Sequence, residues 1–349
     1  MPGPRVAVSA LYAFPHAAAT FAMTLVLVAY MIYATDVLHL PAALAGAIFL
    51  AAKLWDALCV PLAGQWSDAT RSCLGRRRSW ILASGPPMAL FALAMWLPPR
   101  GLATPALAAW VAAATFGFYA AFAAFLVPHM ALGAELSEQP QERDRIFAAR
   151  QLASSLGLLP AFFGAGALLA DPETARAAAA RLAAVAALAL VFSCSFAALR
   201  LPPEPPGFTG RAGASTLRAM RDVWRNPHAR LLLFVFFVES LGTAATSVMA
   251  PYVMKYVVKA PELLGAMLLC FAVANLVAIP IWVLLARRFE RHHLWLVAMA
   301  ISCVARAILG VMAGVPLVCF LAGIAILWRF ALTHAEHDRI HAALVERRG

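Results

Sequence analysis

KLWDALCVPLAGQWSDATRSCLGRRRSW, residues 53–80, decides how this chain folds. It begins inside an apolar run that nevertheless carries Lys53 and Asp56. It leaves that run through Asp68, Arg71 and Gly75 into Arg76, Arg77 and Arg78. An apolar helix with charge in its middle and a basic exit is what a membrane transporter needs at its centre. A charge at the middle of a bilayer costs on the order of 2.5–3.5 kcal/mol on insertion scales, so it has to line a cavity or find a partner.

Working outward, the composition agrees. The chain has 349 residues, 63% of them hydrophobic and only 13% charged. Soluble domains carry about 25% charged residues, so the solvent here is lipid. The net charge of +11 does not indicate nucleic acid, because the basic residues sit between apolar runs rather than on one aromatic-interleaved face. The six cysteines form no C-x-x-C pair, and five of them lie in apolar runs as small packing residues. They point to neither a metal centre nor a disulfide framework. No cleavable leader is expected, since the first apolar run is too long for one.

A spanning helix needs about 20 apolar residues. Ten runs approach that length: 11–34, 41–66, 80–97, 105–133, 149–170, 176–199, 231–255, 261–286, 294–314 and 315–330. With the N-terminus inside, one side receives Arg71, Arg76 to Arg78, Arg143, Arg145, Arg150, the cluster from Arg200 to Arg230, Arg287, Arg288, Arg291 and the tail arginines. The other side receives Arg100, Arg176, Arg181, Lys255, Lys259 and Arg306. Basic loops stay in the cytoplasm, so both termini are expected there, in a multi-pass protein of the inner membrane.

The expected organisation is a six-helix bundle over 1–200, a cytoplasmic linker over 201–228 and a second, incomplete bundle over 229–349. The linker opens on Pro202, Pro203, Pro205 and Pro206, which forbid a continuous helix. Its basic second part reads either as an amphipathic surface helix or as a solvated connection. A shift of 219 residues superposes the halves: Tyr33 falls on Tyr252, Gly46 on Gly265, Asp56 on Asn275 and Pro61 on Pro280. The same shift sets Thr20 on Glu239 and Asp36 on Lys255. Duplicated bundles with a solute site between them are a transporter architecture.

Lys53 and Asp56, three apart, share a helix face. They read either as a self-neutralising structural pair or as a proton- or cation-carrying carboxylate with a lysine that tunes it. Glu239 is a second candidate for coupling or solute contact. Thr20, Tyr30, Tyr119, Arg150 and Asn275 are the remaining candidates for the cavity wall. His129 reads more readily as a hydrogen-bonded helix residue than as a proton relay, and Arg306 as a residue that snorkels to the interface. Pro15, Pro61, Pro128, Pro160, Pro251 and Pro280 fall within helices and permit kinks. Asp68, with Arg71, Gly75 and Arg76 to Arg78, forms a candidate cytoplasmic gate. The mixed-charge loop from Gly133 to Arg150, with Glu135 and Arg143, is a second ion-pair cluster beside it.

At these residues the chain resembles a known family. KLWDALCVPLAGQWSDATRSCLGRRRSWIL is similar to the signature of the glycoside–pentoside–hexuronide:cation symporters, the melibiose permease-like branch of the major facilitator superfamily. That signature runs K-x-W-D-A, then an acid–proline pair, G-x-x-x-D-x-T-R and G-R-R-R. GAELSEQPQERDRIFAARQ, APYVMKYVVKAPELLGAMLL and IPIWVLLARRFERHH resemble later family segments. The resemblance implies an all-α membrane fold of two six-helix bundles, alternating access and cation-driven symport of a small solute, with no enzymatic activity and no cofactor beyond the coupling ion. It implies that Asp56 is the coupling carboxylate and that Arg150 serves the solute site.

The departures refine this. The family's second coupling acid is Val60 here. Sodium wants several hard oxygen ligands, whereas a proton wants one carboxylate, so H+ is the expected ion and Na+ the alternative. The family's sugar-binding acid on the first helix is Thr20, and its fourth-helix acid and tryptophan are Ala120 and Ala124. Without that carboxylate clamp and aromatic face, sugar recognition of that kind is not expected and the apolar wall suits a more hydrophobic or amphipathic solute; the expectation is a small organic solute, sugar-like or amphipathic, carried by a monomer in the bilayer. After about Ile324 the resemblance stops, and the tail carries His334, His337 and His341 without other signs of a metal site. A transport-inactive, truncated remnant is the rival expectation. A membrane enzyme is disfavoured, since no aspartate or histidine–carboxylate cluster stands at a helix end.

Overall fold

The computed structural model describes residues 6–137, 139–170, 174–204, 252–260, 263–285 and 291–308, with scattered positions between 221 and 237. Glu239, Pro251, residues 205–220 of the linker and the histidine-bearing tail lie outside the described residues.

The described chain is helical. Helix α1 (Val6–Leu25) runs on through two wide π turns, Val26–Tyr30 and Tyr33–Val37. It is followed by α2 (Ala42–Ala69), α3 (Arg76–Trp96), α4 (Thr104–Glu135), α5 (Pro140–Ala170) and α6 (Ala175–Arg200). Later come a π segment, Val253–Val258, then α7 (Leu264–Leu285) and α8 (Arg291–Ile308). The first six helices are each long and apolar enough to cross a bilayer. In lipid a backbone must satisfy its own polar groups, which is why runs this apolar become helices.

The chain divides into two compact units. One comprises residues 1–216 with 254–273, and the other 217–253 with 274–349. In the first unit α1 packs on α5 and α6, α3 on α4 and α6, and α2 on α4. Small residues allow these approaches. A Cβ at Gly157 of α5 would stand 2.3 Å from the carbonyl oxygen of Ala17 in α1, the close backbone contact that membrane helices use in place of a hydrophobic drive. The opposite surfaces carry Leu50, Leu54, Leu58, Phe163, Leu188 and Phe192, all exposed from the protein and suited to acyl chains.

Two boundaries differ from the sequence expectation. Helix α3 starts at Arg76, not Trp80, so the three arginines form its first turn and are buried rather than lying in a loop. Helix α5 starts at Pro140, so Glu142 to Arg150 are helical and the connection from α4 is only a few residues long. Proline suits the first position of a helix. Glu, Arg and Ala then propagate it well past the apolar run that hydropathy detects. Pro15, Pro61, Pro128 and Pro160 do lie inside helices, as expected.

The ends of α1 and of the Val253–Val258 segment close alike. Leu40 N–H donates to Ala34 O at 2.9 Å across His39, whose φ is +57°. Ala260 N–H donates to Met254 O at 3.1 Å across Lys259, whose φ is +59°. Beside them the Lys255 ammonium is ion-paired with the Asp36 carboxylate, joining two positions that the sequence repeat equates.

Candidate functional site

Three polar constellations stand on the first unit. The first is on α2. Lys53 Nζ lies 3.7 Å from Asp56 Oδ2 and 4.2 Å above the centre of the Tyr119 ring of α4. One helical turn brings the two charges together, and the buried ring beneath the ammonium supplies a cation–π contact. Lys53 is 43% exposed from the protein and Asp56 25%, so the pair sits on the open side of α2. Val60, one turn further on, is also exposed. Asp56 thus meets one cation and, among the described residues, no group of acids or histidines that could hold a metal ion.

The second is the cluster at the turn between α2 and α3. Arg76 Nη2 is 2.7 Å from Glu135 Oε1, and Arg76 Nη1 is 3.4 Å from Asp68 Oδ1. Arg77 pairs with Asp68, reaches Glu135 Oε1 at 3.4 Å and donates to Ser67 Oγ at 2.6 Å. Two guanidiniums and two carboxylates therefore close on one another at the junction of α2, α3 and α4. Arg78 turns away, donating to the carbonyls of Ala198 and Leu199 at the end of α6, the negative pole of that helix. Arg71 is exposed, and Arg143 on α5 has no ion pair among the described residues. Of the expected gate residues, Asp68, Arg76, Arg77 and Glu135 meet; Arg71, Arg78 and Arg143 do not join them.

Three cations at the start of a helix oppose its dipole. Glu204, from the proline-rich connection, compensates. Its carboxylate accepts from the backbone N–H groups of Arg76, Arg77 and Arg78 at 3.2, 2.6 and 3.1 Å. Gly75 permits this, since its φ is +104° and a Cβ there would fall 2.9 Å from Glu204 Oε1. Sequence reading passed over Glu204 because the prolines around it signal only irregular chain. A lone acid set among them, facing an arginine-rich helix start, was the available clue. Glu204→Ala is expected to cost about 0.5–2 kcal/mol, as other lost caps do, read as a lowered thermal midpoint of the purified protein, with Glu204→Gln losing less.

The third constellation lies along α1, α4 and α5. The hydroxyls of Thr20 on α1 and Ser154 on α5 are 3.2 Å apart. One turn earlier on each helix stand His16 and Arg150. Arg150 packs over the Phe147 ring and against Met130, and its buried Nε has no hydrogen-bond partner among the described residues. Tyr30, an expected cavity residue, is instead fully buried against Tyr33, Phe49 and Trp96 in the unit's core. Tyr119 is likewise fully buried, beneath Lys53. Asn275 lies on α7, in the part assigned to the second unit, half-buried.

Comparison with known proteins places the chain in a family. The family model for MFS/sugar transport proteins matches residues 11–333. The chain is 26% identical to the inner membrane symporter YicJ of Escherichia coli over 255 residues, 71% of this chain and 54% of that protein. It is 24% identical to the isoprimeverose transporter of Lactiplantibacillus pentosus over 307 residues, 85% of this chain and 63% of the relative. The chain thus spans less than two thirds of the length of these relatives. The crystal structure of a D-xylose-proton symporter superposes with a TM-score of 0.65 at 14% identity, covering 93% of this chain and 81% of that one. With a two-bundle sequence repeat, six membrane-length helices and a family match over nearly its whole length, this chain belongs to the MFS/sugar transport protein family, in its branch of glycoside–pentoside–hexuronide symporters.

Proposed function

We propose that the chain is a proton-coupled secondary transporter of a small sugar-like solute, seated in the inner membrane with its N-terminus in the cytoplasm. The Lys53–Asp56 pair carries this reading. It is the charged couple on the open side of a membrane-length helix, in a family of symporters. Asp56 has one cationic neighbour at 3.7 Å, and the place of a second acid is taken by Val60. A carboxylate with a lysine for company is a better proton carrier than a sodium cage, which needs several oxygens. A proton arriving at Asp56 would take the place of the Lys53 ammonium as its counter-charge.

The isoprimeverose transporter and the D-xylose-proton symporter support a sugar-like solute by their names. Thr20, Ser154 and Arg150 along the α1–α5 seam supply hydroxyl and guanidinium groups suited to a polyol. The Asp68–Arg76–Arg77–Glu135 cluster ties α2, α3 and α4 at the end that the positive-inside rule places in the cytoplasm. It acts as the fixed frame of the inner mouth.

The test uses the full chain in proteoliposomes with an imposed pH gradient and labelled D-xylose and D-glucuronate as probes. Asp56→Asn is expected to reduce accumulation to the level of empty liposomes while solute exchange at equal pH persists. Gradient-driven accumulation that survives the substitution would remove Asp56 from the coupling role.

A further inference from the structure

A cavity at one end of the first unit is used by none of the sites above. Its volume is about 370 Å³, and it is lined by Tyr33 from the end of α1, by Trp96, Pro98, Pro99 and Arg100 where α3 ends, and by Arg176 at the start of α6. This end lies opposite the Arg76–Arg78 cluster. Helix α3 runs from Arg76 to Trp96, and α6 runs from Ala175 to Arg200, with its last carbonyls on Arg78. The positive-inside rule reads it as the outer end. That side receives few cations, yet Arg100 and Arg176 line this one cavity.

The walls are fixed. Tyr33 and Trp96 are buried, 5.1 Å apart between ring centroids, and the Tyr33 hydroxyl donates to the Trp96 carbonyl at 3.0 Å. Pro98 and Pro99 restrict the backbone that presents Arg100. A further guanidinium stands at the rim. Arg181, exposed on α6, bends back so that its Nε donates to the carbonyl of Ala177 at 3.4 Å, and Ala177 also lines the cavity. Asp36, the acid at this end of α1, is engaged by Lys255 and by the Thr35 hydroxyl.

From the cavity α6 carries an apolar stripe towards the bilayer middle. Ala177, Val185, Leu188 and Phe192 are exposed from the protein on this face. At 1.5 Å per residue the rise from Ala177 to Leu188 is ~16 Å, about half of the ~30 Å hydrocarbon core. That is the depth of one leaflet's acyl chains. A free anion would use the guanidiniums and not the stripe. An uncharged lipid would use the stripe and not the guanidiniums. Together they select a molecule with an anionic head and an acyl tail.

We propose that the cavity binds an anionic phospholipid of the phosphatidylglycerol type. Its phosphate diester sits between Arg100 and Arg176, and one acyl chain lies along α6. Planar guanidiniums give paired, charge-assisted hydrogen bonds to phosphate oxygens, which an ammonium cannot match in geometry. The lipid is a resident ligand that ties the ends of α1, α3 and α6 together. It is not a solute, and its site depends neither on Asp56 nor on what the protein carries.

The experiment uses the purified full chain in a neutral detergent. Native mass spectrometry counts bound lipid, and thermal unfolding reads its effect. The probes are dioleoyl phosphatidylglycerol, dioleoyl phosphatidylcholine and glycerol 3-phosphate. Phosphatidylglycerol is expected to be retained at about one molecule per chain and to raise the thermal midpoint, and the other two to do neither. Arg100→Gln combined with Arg176→Gln is expected to weaken phosphatidylglycerol binding about tenfold or more, the scale of one lost hydrogen bond to a charged group. Arg100→Gln alone, at an exposed side chain, makes the comparison if the double variant fails to fold. Arg200→Gln makes the same charge change at the opposite end of α6, where Arg200 packs over Phe196, and is expected to keep wild-type binding. Equal retention of phosphatidylcholine overturns the inference. So does an equal response to glycerol 3-phosphate, which would mark a site for a soluble anion. Failure to retain phosphatidylglycerol overturns it too, the result expected if Asp171 and Glu173, outside the described residues, already neutralise the arginines. Binding that survives in the arginine variants, or falls as far in Arg200→Gln, also overturns it.

Discussion

Glu135→Ala is expected to lower the stability of the protein by about 3–5 kcal/mol, the range found when one partner of a buried ion pair is removed. Arg76 and Arg77 are 9% and 7% exposed at their side chains, and Glu135 only 11%. Without Glu135 two guanidiniums share Asp68 alone, and one positive charge remains buried at the start of a helix whose dipole already repels it. Thermal unfolding of the purified protein measures the loss. Glu135→Gln keeps the shape and an accepting oxygen but not the charge, so it separates hydrogen bonding from electrostatics. Arg76→Met in the Glu135→Ala background is expected to recover much of the stability, because a buried ion pair replaced by apolar side chains is often neutral. An unchanged midpoint in Glu135→Ala would show the cluster to be open to water.

Gly157→Ala is the second substitution with a large expected effect, and its sign opposes helix propensity. In an exposed helix interior, alanine for glycine gains about 1 kcal/mol. Here the new Cβ would lie 2.3 Å from Ala17 O and 3.1 Å from Ala17 C, both backbone atoms that no rotamer can move aside. The helices must separate, and overpacking of this kind costs roughly 1–3 kcal/mol or more. The seam that opens carries Thr20 with Ser154, so solute binding should weaken along with stability. Gly46→Ala on α2 is the matched control. Its Cβ would meet only Met31 Cε, at 3.9 Å, and the substitution should be neutral or stabilising. Midpoints that move together in the two variants would sink the close-approach argument.

Most of the first unit was legible in the sequence because bilayer thickness imposes a length on apolar runs. The six expected spans all became helices, and the errors lie where polar residues continue a helix beyond the lipid. Arg76–Arg78 and Glu142–Arg150 are invisible to hydropathy, yet helical. Of the site, the i to i+3 pairing of Lys53 with Asp56 follows from helix geometry alone. The meeting of Asp68 with Arg76 and Arg77 was anticipated from charge alternation. Glu204 and the stacking of Tyr12 and His16 of α1 on the His129 ring of α4 were not, since they join residues more than a hundred positions apart. A single histidine in an apolar helix carries no periodic signal. Only the packing of α1 on α4 turns two of them into a pair.

The ion pair between Asp36 and Lys255 is of a kind that only an asymmetric pair of repeats can make. A shift of 219 residues makes these the same position in the two halves. In an assembly of two identical copies, a residue facing its own counterpart across the two-fold axis meets its own kind. Two aspartates or two lysines would then stand against each other. Opposite charges at this point are open only to a polypeptide whose halves mutate independently. A single chain whose halves vary independently can place opposite charges at this position, a complementarity closed to any homodimer.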